Sequence, residues 1–274
     1  MARRTLARVN AIDPDDSRLL AIAAEAAREA GALLLDRFGQ PPTGIDSKSS
    51  ATDMVSDADR ESEALIRDLL SRERPEDAVL GEERGATRGE AGLLWVVDPL
   101  DGTTNYLYRH PTWSVSIACE DGRGARVAVV HQPVTGETFT AVRGAGARLG
   151  EAPISPSDAT ELARSLIGTG FGYRSEVRAQ QARALVEILP AVRDVRRGGS
   201  AAIDLCWVAC GRLDGFYELG VQRWDTAAGV LIAREAGAMV TALEPAGVAD
   251  AGVLAAAPGI DDALNSLVGP ALLH

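Results

Sequence analysis

The chain has 274 residues, of which 46% are hydrophobic and 24% are charged, and its formal net charge is −11. This length can bury a substantial core in one large domain or two small ones, and the composition is that of an ordinary soluble globular protein. The acidic balance disfavours a general nucleic-acid-binding surface. It does not exclude an anionic substrate, because bound divalent cations can reverse the charge of a site locally.

The sequence carries no sign of export or membrane insertion. The N-terminal segment lacks the apolar stretch of a secretory signal, and no uninterrupted apolar run is long enough to span a bilayer. The three cysteines, Cys119, Cys206 and Cys210, fit no disulfide framework, and we expect buried free thiols rather than a redox or zinc pair. Together these features predict a cytoplasmic protein.

Taken in chain order, the first half predicts two helices and then a block of strands. An amphipathic pattern predicts a helix over 17–38 that Ser17 caps, and a capping arrangement at Ser56 and Asp59 predicts a second helix to about residue 73. β-prone runs follow at 78–80, 93–98, 113–119, 125–131 and 137–142.

In the second half the two kinds of element alternate. Strands are predicted at 166–168, 214–218 and 238–242, and helices at 176–189, 200–210 and 225–236. Such alternation favours a layered α/β or α+β protein over a helix bundle or a β-sandwich. Periodicity alone goes no further than this fold class.

The most informative segment is WVVDPLDGTTNY at 95–106. It opens as a buried strand, which should end at Asp98 because Pro99 has no N–H for a paired strand. Asp98 and Asp101 lie on either side of the turn, and Gly102 lets the backbone approach a ligand closely. The hydroxyls and free N–H groups that follow suit an anion. Two carboxylates would repel that anion unless a cation lay between them, and Mg²⁺ prefers carboxylate and phosphate oxygens.

Three further motifs accompany this segment: GEE at 81–83, GSAA at 199–202 and WDTAAG at 224–229. In order and spacing the four motifs resemble the inositol monophosphatase family over about residues 45–240. The segments at 168–173 and 192–197 are most similar to actinobacterial-type members.

The resemblance implies a layered α-β-α-β-α sandwich like that of sugar phosphatases. It further implies a single catalytic domain with approximate sub-lobes 1–150 and 151–274. The chain departs from many members in having Ser200 where they carry Thr, and in a short, Ala-rich segment after residue 242.

The resemblance also implies a set of Mg²⁺ ligands. Glu82, Asp98 and the backbone carbonyl of Leu100 would hold one ion. Asp98, Asp101 and Asp225 would hold a second, with Asp98 bridging the two. Lys48 matches a loop lysine of the family near the metal region, whereas we expect Glu83 to be solvated.

The remaining implied roles concern water and substrate. Thr103 would hydrogen-bond Asp59, and the pair would orient or deprotonate the attacking water. Backbone N–H groups of Gly102 and Thr103 would hold phosphate oxygens, and Glu218 would accept hydrogen bonds from substrate hydroxyls. The substrate pocket would be lined by Gly199, Ser200 and Ala201.

Several of these residues also have a purely structural interpretation. Asp225 and Ser200 could each act as no more than a helix cap. Glu218 could cap a turn or pair with Arg223. Carboxylates at strand ends are often ordinary turn residues. The basic cluster at 193–197 is typical of a solvated or interface face rather than of a nucleic-acid site.

The favoured hypothesis is a Mg²⁺-dependent phosphomonoesterase that hydrolyses inositol 1-phosphate. The resemblance implies a small phosphorylated polyol as substrate, Li⁺ sensitivity and a homodimer, with no nucleic-acid or membrane partner. Related phosphatases of histidinol phosphate, fructose 1,6-bisphosphate or a 3′-phosphonucleotide remain open, as does a regulatory protein that uses the same fold.

Overall fold

A computed structural model describes residues 12–48 and 54–272. Its helices are α1 Pro14–Arg37, α2 Asp57–Glu73, α3 Thr103–Leu107, α4 Ser175–Ile188, α5 Ala201–Ala209, α6 Arg223–Ala236 and α7 Asp261–Ala271. None of the helices in these two ranges combines the length and apolarity that a bilayer crossing requires.

A large mixed sheet occupies the first half of the chain, preceded by a short antiparallel ribbon of β1 Asp46–Ser47 and β2 Met54–Val55. The strands of the large sheet are β3 Ala78–Gly81, β4 Gly85–Ala86, β5 Leu94–Asp101, β6 Ser114–Asp121, β7 Gly124–Gln132, β8 Glu137–Val142, β9 Gly146–Leu149 and β10 Ala152–Pro153. Their order is β10-β9-β8-β7-β6-β5-β3-β4, and only β3 and β5 pair in parallel.

A second, smaller sheet follows. Its strands are β11 Leu166–Thr169, β12 Asp194–Arg196, β13 Gly215–Leu219, β14 Met239–Leu243 and β15 Gly252–Ala256. The order is β12-β11-β13-β15-β14; β11 pairs in parallel with β12 and β13, and the other pairs are antiparallel.

The elements stack in five layers. Helices α1 and α2 pack on the outer face of the large sheet, and α5 and α6 lie between the two sheets. Helices α4 and α7 cover the far face of the small sheet. Three clusters of buried apolar side chains fill the spaces between these layers. The layered α-β-α-β-α sandwich implied by the resemblance is therefore confirmed.

Most predicted elements are present, with differences at their ends. Helix α1 begins at Pro14 rather than after Ser17, because the Asp13 side chain accepts a hydrogen bond from the Asp15 backbone N–H (2.8 Å) and supplies the cap. Helix α6 begins at Arg223, two residues earlier than expected.

The prediction that β5 ends at Asp98 is wrong. The strand runs on to Asp101, and its pairing with β6 shifts register between Asp98 and Asp101. Pro99 lies within this bulge, where a residue without an N–H leaves no ladder hydrogen bond unmade. The bulge brings both aspartates to the same end of the strand.

Candidate active site

The candidate site lies at the C-terminal end of β5, where the first turns of α2, α3, α5 and α6 meet. Each helix start brings one polar group whose local bonding fixes its position. A helix N-terminus carries unpaired N–H groups and a partial positive charge, which stabilises carboxylates there. The fold therefore concentrates acidic side chains at this point.

Three carboxyl groups make contact at the centre of the site. Asp98 is only 1% exposed and lies beside the carboxyl groups of Asp225 and Glu82. Its Oδ1 also accepts the backbone N–H of Leu100 (3.0 Å). Burial and then the charges of Glu82, Asp101 and Asp225 raise the pKa of Asp98 well above its ordinary value. Burial and repulsion raise the pKa of Asp225 in the same way.

Asp101 joins this cluster to α5. Its Oδ2 accepts hydrogen bonds from the Ser200 hydroxyl (2.5 Å) and from the backbone N–H of Ala202 (2.8 Å). Burial raises its pKa to about 6 despite these bonds. Ser200 is also the N-cap of α5, since its Oγ accepts the Ile203 N–H (3.3 Å). The cap therefore ties a segment of the second half of the chain to an aspartate of the first.

Lys48 contacts two adjacent glutamates, Glu82 and Glu83. Lys48 Nζ lies 2.7 Å from Glu82 Oε1 and 2.5 Å from Glu83 Oε1. The prediction that Glu83 is solvated is wrong, because its side chain is only 8% exposed. This burial raises the pKa of Glu83 to about 7. The pKa of Lys48 is raised in turn, since its bonds to the two glutamates outweigh the effect of burial.

A buried glutamate on α2 supports the segment that carries Glu82. The Glu63 carboxylate accepts the backbone N–H groups of Glu83 (2.7 Å) and Arg84 (3.1 Å), and it is bonded to Arg67 Nε (2.6 Å). A Cβ on Gly81 would lie 2.6 Å from that carboxylate, so only glycine fits there.

Asp59 and Thr103 form a direct hydrogen bond. Thr103 Oγ1 lies 2.8 Å from Asp59 Oδ1 and 3.1 Å from the Leu100 carbonyl oxygen. The other carboxylate oxygen of Asp59 accepts the N–H (2.9 Å) and hydroxyl (2.7 Å) of Ser56. Burial raises the pKa of Asp59, which favours a carboxylate able to take a proton.

Gly102 is the turn between β5 and α3. Its φ is +97°, and a Cβ would lie 3.0 Å from the Thr112 carbonyl oxygen and 3.1 Å from that of Gly199. Asn105 holds the same two segments together, because its Nδ2 donates to the carbonyls of Thr112 (2.6 Å) and Gly198 (2.9 Å). The turn is therefore fixed against α5 by backbone contacts that only glycine permits.

An open cavity of about 500 Å³ lies beside the carboxylates. Its wall contains Glu218 on β13, whose carboxylate packs against Gly170 so closely that a Cβ there would lie 1.9 Å away. Burial raises the pKa of Glu218 to about 7, while the positive charge of Arg197 opposes that rise. The predicted site residues in the wall are Glu82, Asp101, Gly102, Gly199, Ala201, Glu218 and Asp225.

The carboxylates fit a divalent cation by their chemistry. Among the residues described, no group of three or more Asp, Glu, His or Cys side chains has the geometry of a metal site as it stands. Burial and mutual repulsion raise the pKa values of Asp98 and Asp225, so protons compete with a cation for these carboxylates. A hard cation such as Mg²⁺ takes oxygen ligands and would offset the repulsion between them.

Comparison with known proteins agrees with this geometry. The family model described as "Inositol monophosphatase family" matches residues 15–270. The chain belongs to the inositol monophosphatase family. This is a family of metal-dependent phosphatases, and the protein is accordingly a phosphatase.

Individual relatives resemble the chain over most of its length. It is 44% identical to the inositol-1-monophosphatase of Mycobacterium bovis, covering 92% of this chain and 93% of that one. It is 40% identical to the Nus factor SuhB of Escherichia coli, covering 81% and 84%. The crystal structure of the extragenic suppressor protein suhB from Bartonella henselae has a TM-score of 0.85 at 34% identity, covering 92% and 98%.

The structure brings the predicted ligands together, but some predicted neighbours lie elsewhere. Ser200 points to Asp101 instead of lining the cavity wall. Asp225 is not an N-cap: Gln222 is, and Asp225 Oδ2 accepts its N–H (2.6 Å) from the third helical position. The alternative pairing of Glu218 with Arg223 is excluded, because Arg223 is bonded to Glu120.

Two residues near the site are not recognisable from the sequence. No role is predicted for Glu63, because its EALIR surroundings resemble any amphipathic helix. Arg197 is predicted to belong to a surface cluster, but its side chain lines the cavity. No signal in the local sequence distinguishes Arg197 from Arg196, since only the fold sets which of the two faces the cavity.

Proposed function

We propose that this phosphatase hydrolyses inositol 1-phosphate to inositol and phosphate with Mg²⁺ as its metal. The observation that carries the proposal is the meeting of Glu82, Asp98, Asp101 and Asp225 beside a hydrogen-bonded Asp59–Thr103 pair. Four carboxylates in one place would repel a phosphate ester, and cations between them would attract it.

The metal ligands divide into two overlapping sets. Glu82, Asp98 and the Leu100 carbonyl would hold one Mg²⁺, and Asp98, Asp101 and Asp225 a second. Bound Mg²⁺ supplies a more acidic water and neutralises charge that develops on the phosphoryl oxygens. The bonds from Ser200 and Ala202 to Asp101 Oδ2 leave Oδ1 available as a ligand.

The Asp59–Thr103 pair would position the attacking water. A water in front of Thr103 can donate to Oγ1, which itself donates to Asp59 Oδ1 at 2.8 Å. A proton can therefore pass from the water through the threonine hydroxyl to a carboxylate whose pKa is raised by burial. Backbone N–H groups of Gly102 and Thr103 would hold the phosphate oxygens.

The other end of the substrate would lie in the cavity. Gly199 and Ala201 form part of its wall, and Glu218 offers a carboxylate for the hydroxyls of a small polyol. Ser200 would act from behind this wall by fixing Asp101. The bonds between Asp101 and α5 support one catalytic domain whose sub-lobes, 1–150 and 151–274, each supply part of the site.

Three further features complete the proposal. Li⁺ would inhibit by competing at a metal position, and the protein would act as a homodimer. A cytoplasmic location is supported by the three cysteines, all of which are unpaired, as in proteins of a reducing compartment.

One relative gives a reason to keep a second function in view. The Escherichia coli relative is named a Nus factor, which is a regulatory rather than a catalytic description. A protein that had kept only a regulatory role would have had no need of the complete carboxylate set. We therefore favour catalysis, on inositol 1-phosphate ahead of histidinol phosphate, fructose 1,6-bisphosphate and 3′-phosphonucleotides.

A substrate panel tests the proposal. Phosphate release from inositol 1-phosphate, histidinol phosphate, fructose 1,6-bisphosphate and a 3′-phosphonucleotide is measured with Mg²⁺ and with a chelator. The highest kcat/KM should belong to inositol 1-phosphate and should depend on Mg²⁺. A preference for another ester would contradict inositol 1-phosphate as the substrate and favour that ester instead. If no ester were hydrolysed, the regulatory function would be favoured.

A further inference from the structure

Arg197 differs from the other cations of the cavity wall. Lys48 is paired with Glu82 and Glu83, and Arg174 donates to the Val248 carbonyl and lies 3.6 Å from Glu176. Arg197 makes no hydrogen bond or ion pair with any residue in the part of the chain that the structure describes. A guanidinium carries five N–H donors and no acceptor, so this side chain has donors to offer a ligand.

The side chain is directed toward the cavity by its local backbone. Its Nη1 lies so near Gly199 that a Cβ on that glycine would be 2.4 Å away, and the φ of Gly199 is +91°. The preceding Arg196 is used differently, because its guanidinium is paired with Asp194 on the same strand (2.5 Å). Arg196 is the last residue of β12, whereas Arg197 lies beyond the strand in the segment that leads to Gly199.

The electrostatic surroundings of Arg197 indicate what it can bind. Its charge acts on the carboxylates of Glu218, Asp101 and Asp204, and it forms an ion pair with none of these three residues. These acids make the region unfavourable for a second phosphate. A neutral hydroxyl group, in contrast, can accept from the guanidinium and donate to the Glu218 carboxylate at the same time.

We infer that Arg197 and Glu218 form a donor–acceptor pair that recognises adjacent hydroxyl groups of the substrate, so that Arg197 is a specificity-determining residue. The inference deepens the proposed function and rests on it. The pair selects a polyol over a ring with few hydroxyls, because an unpaired guanidinium or carboxylate beside the substrate is penalised.

The test compares two esters in matched variants. Arg197→Ala, Arg197→Lys and the control Arg196→Ala are assayed with Mg²⁺ on inositol 1-phosphate and on 4-nitrophenyl phosphate, which has no aliphatic hydroxyl. Arg197→Ala should lower kcat/KM for inositol 1-phosphate roughly ten- to hundredfold, the range for losing a hydrogen bond to a charged group. Most of the loss should appear in KM.

The other measurements separate this role from alternatives. Hydrolysis of 4-nitrophenyl phosphate should change little, Arg197→Lys should lose less than Arg197→Ala, and Arg196→Ala should match the wild type on both esters. Thermal unfolding should be unchanged, since Arg197 is exposed. In an Arg197→Ala/Glu218→Ala double variant the losses on inositol 1-phosphate should not add, because each partner acts through the same hydroxyls.

Equal losses on both esters would overturn the inference, since they would mean that Arg197 only attracts phosphate. A selective loss in Arg196→Ala would also overturn it, because the effect would then belong to the basic cluster. A wild-type protein that hydrolyses the aryl ester but not inositol 1-phosphate would overturn the proposed substrate and this pair together.

Discussion

Thr103 is the residue whose position says most about how water would be activated. Its hydroxyl joins α3 to α2, since it donates to Asp59, which is 44 residues earlier in the chain and fully buried. Asp59 in turn accepts the N–H and hydroxyl of Ser56 at the start of its own helix. A carboxylate held by three donors keeps one orientation, which a positioned base requires.

Removing the Thr103 hydroxyl should therefore damage turnover more than metal binding. For Thr103→Ala we expect a loss of about 10²–10⁴-fold in kcat, the usual contribution of a positioned general base, with little change in the Mg²⁺ midpoint. Steady-state kinetics at several Mg²⁺ concentrations measure both quantities.

Asp59→Asn and the Thr103→Ala/Asp59→Asn double variant complete the cycle. If the two residues act as one unit, the double variant loses about as much as either single one. Losses that multiply would show that the two side chains act independently, and the proposed dyad would be wrong.

At the scale of secondary structure, α2 supports the site through Glu63 as well as Asp59. Glu63 lies one helical turn after Asp59, so the two carboxylates lie on the same face of the helix. One bonds Thr103, and the other binds the backbone of the segment that carries Glu82. Helix α2 thus sets the distance between the proposed water-activating pair and a proposed metal ligand.

Glu63→Gln tests this support. The amide would place N–H groups against the N–H donors of Glu83 or Arg84, so we expect a stability loss of about 1–3 kcal/mol. The Mg²⁺ midpoint, read from thermal unfolding, should weaken roughly 10–100-fold, as for other residues that hold metal ligands in place. Glu61→Gln is the control, because Glu61 is a half-exposed residue of the same helix paired with Arg37. An unchanged Mg²⁺ midpoint in Glu63→Gln would contradict this role.

The turn between β5 and α3 can be tested with a matched pair of glycines. Gly102 and Gly124 have φ values of +97° and +99°, but a Cβ added to Gly102 would have neighbours within 4 Å, whereas one added to Gly124 would have none. Gly124→Ala should cost only the backbone strain of about 1–2 kcal/mol. Gly102→Ala should cost more and should also lower kcat, because the turn must move from the Thr112 and Gly199 carbonyls. Denaturant unfolding and kinetics measure both, and equal effects in the two variants would contradict the close approach.

At the scale of the whole molecule, the acidic cluster couples stability to pH. Burial raises the pKa of Asp101 to about 6 and that of Glu83 to about 7, from ordinary values of 3.8 and 4.5, and it raises the pKa of Asp98 well above its ordinary value. Between about pH 4 and 7 the metal-free folded protein therefore binds more protons than the unfolded chain. Its stability should fall as pH rises through this window.

Mg²⁺ should act in the opposite direction, because the ligands must lose their protons to bind it. The rise in Tm on adding Mg²⁺ should be small near pH 5 and larger near pH 7.5. Thermal unfolding in Mg²⁺ and in a chelator, with KCl matching the ionic strength, separates binding from screening. A Mg²⁺ effect of equal size at both pH values would contradict the coupling.

Elements of the fold could be predicted from the sequence wherever a short hydrophobic pattern and a strong local conformational preference agree. The strands at 114–121 and 124–132 are runs of β-branched and apolar residues, and their ends match the predictions within one or two positions. The β5 bulge could not be predicted, because a proline such as Pro99 ends most strands. Only the pairing of β5 with β6 shows that this strand continues past the proline. Likewise, the Glu63 contacts span about 20 residues and the cavity position of Arg197 depends on the second sheet.

The most direct test of the metal-based site is phosphate release from inositol 1-phosphate by the wild type and Asp98→Asn over a range of Mg²⁺ concentrations. Asp98 is proposed to serve both ions, and a neutral amide cannot replace a carboxylate in that position. The wild type should be inactive after chelation and recover fully with Mg²⁺. Asp98→Asn should remain folded, since losing one charge relieves repulsion in the cluster, and should be nearly inactive even at saturating Mg²⁺. Wild-type turnover by Asp98→Asn, or turnover by the wild type in the chelator, would contradict the metal-based site.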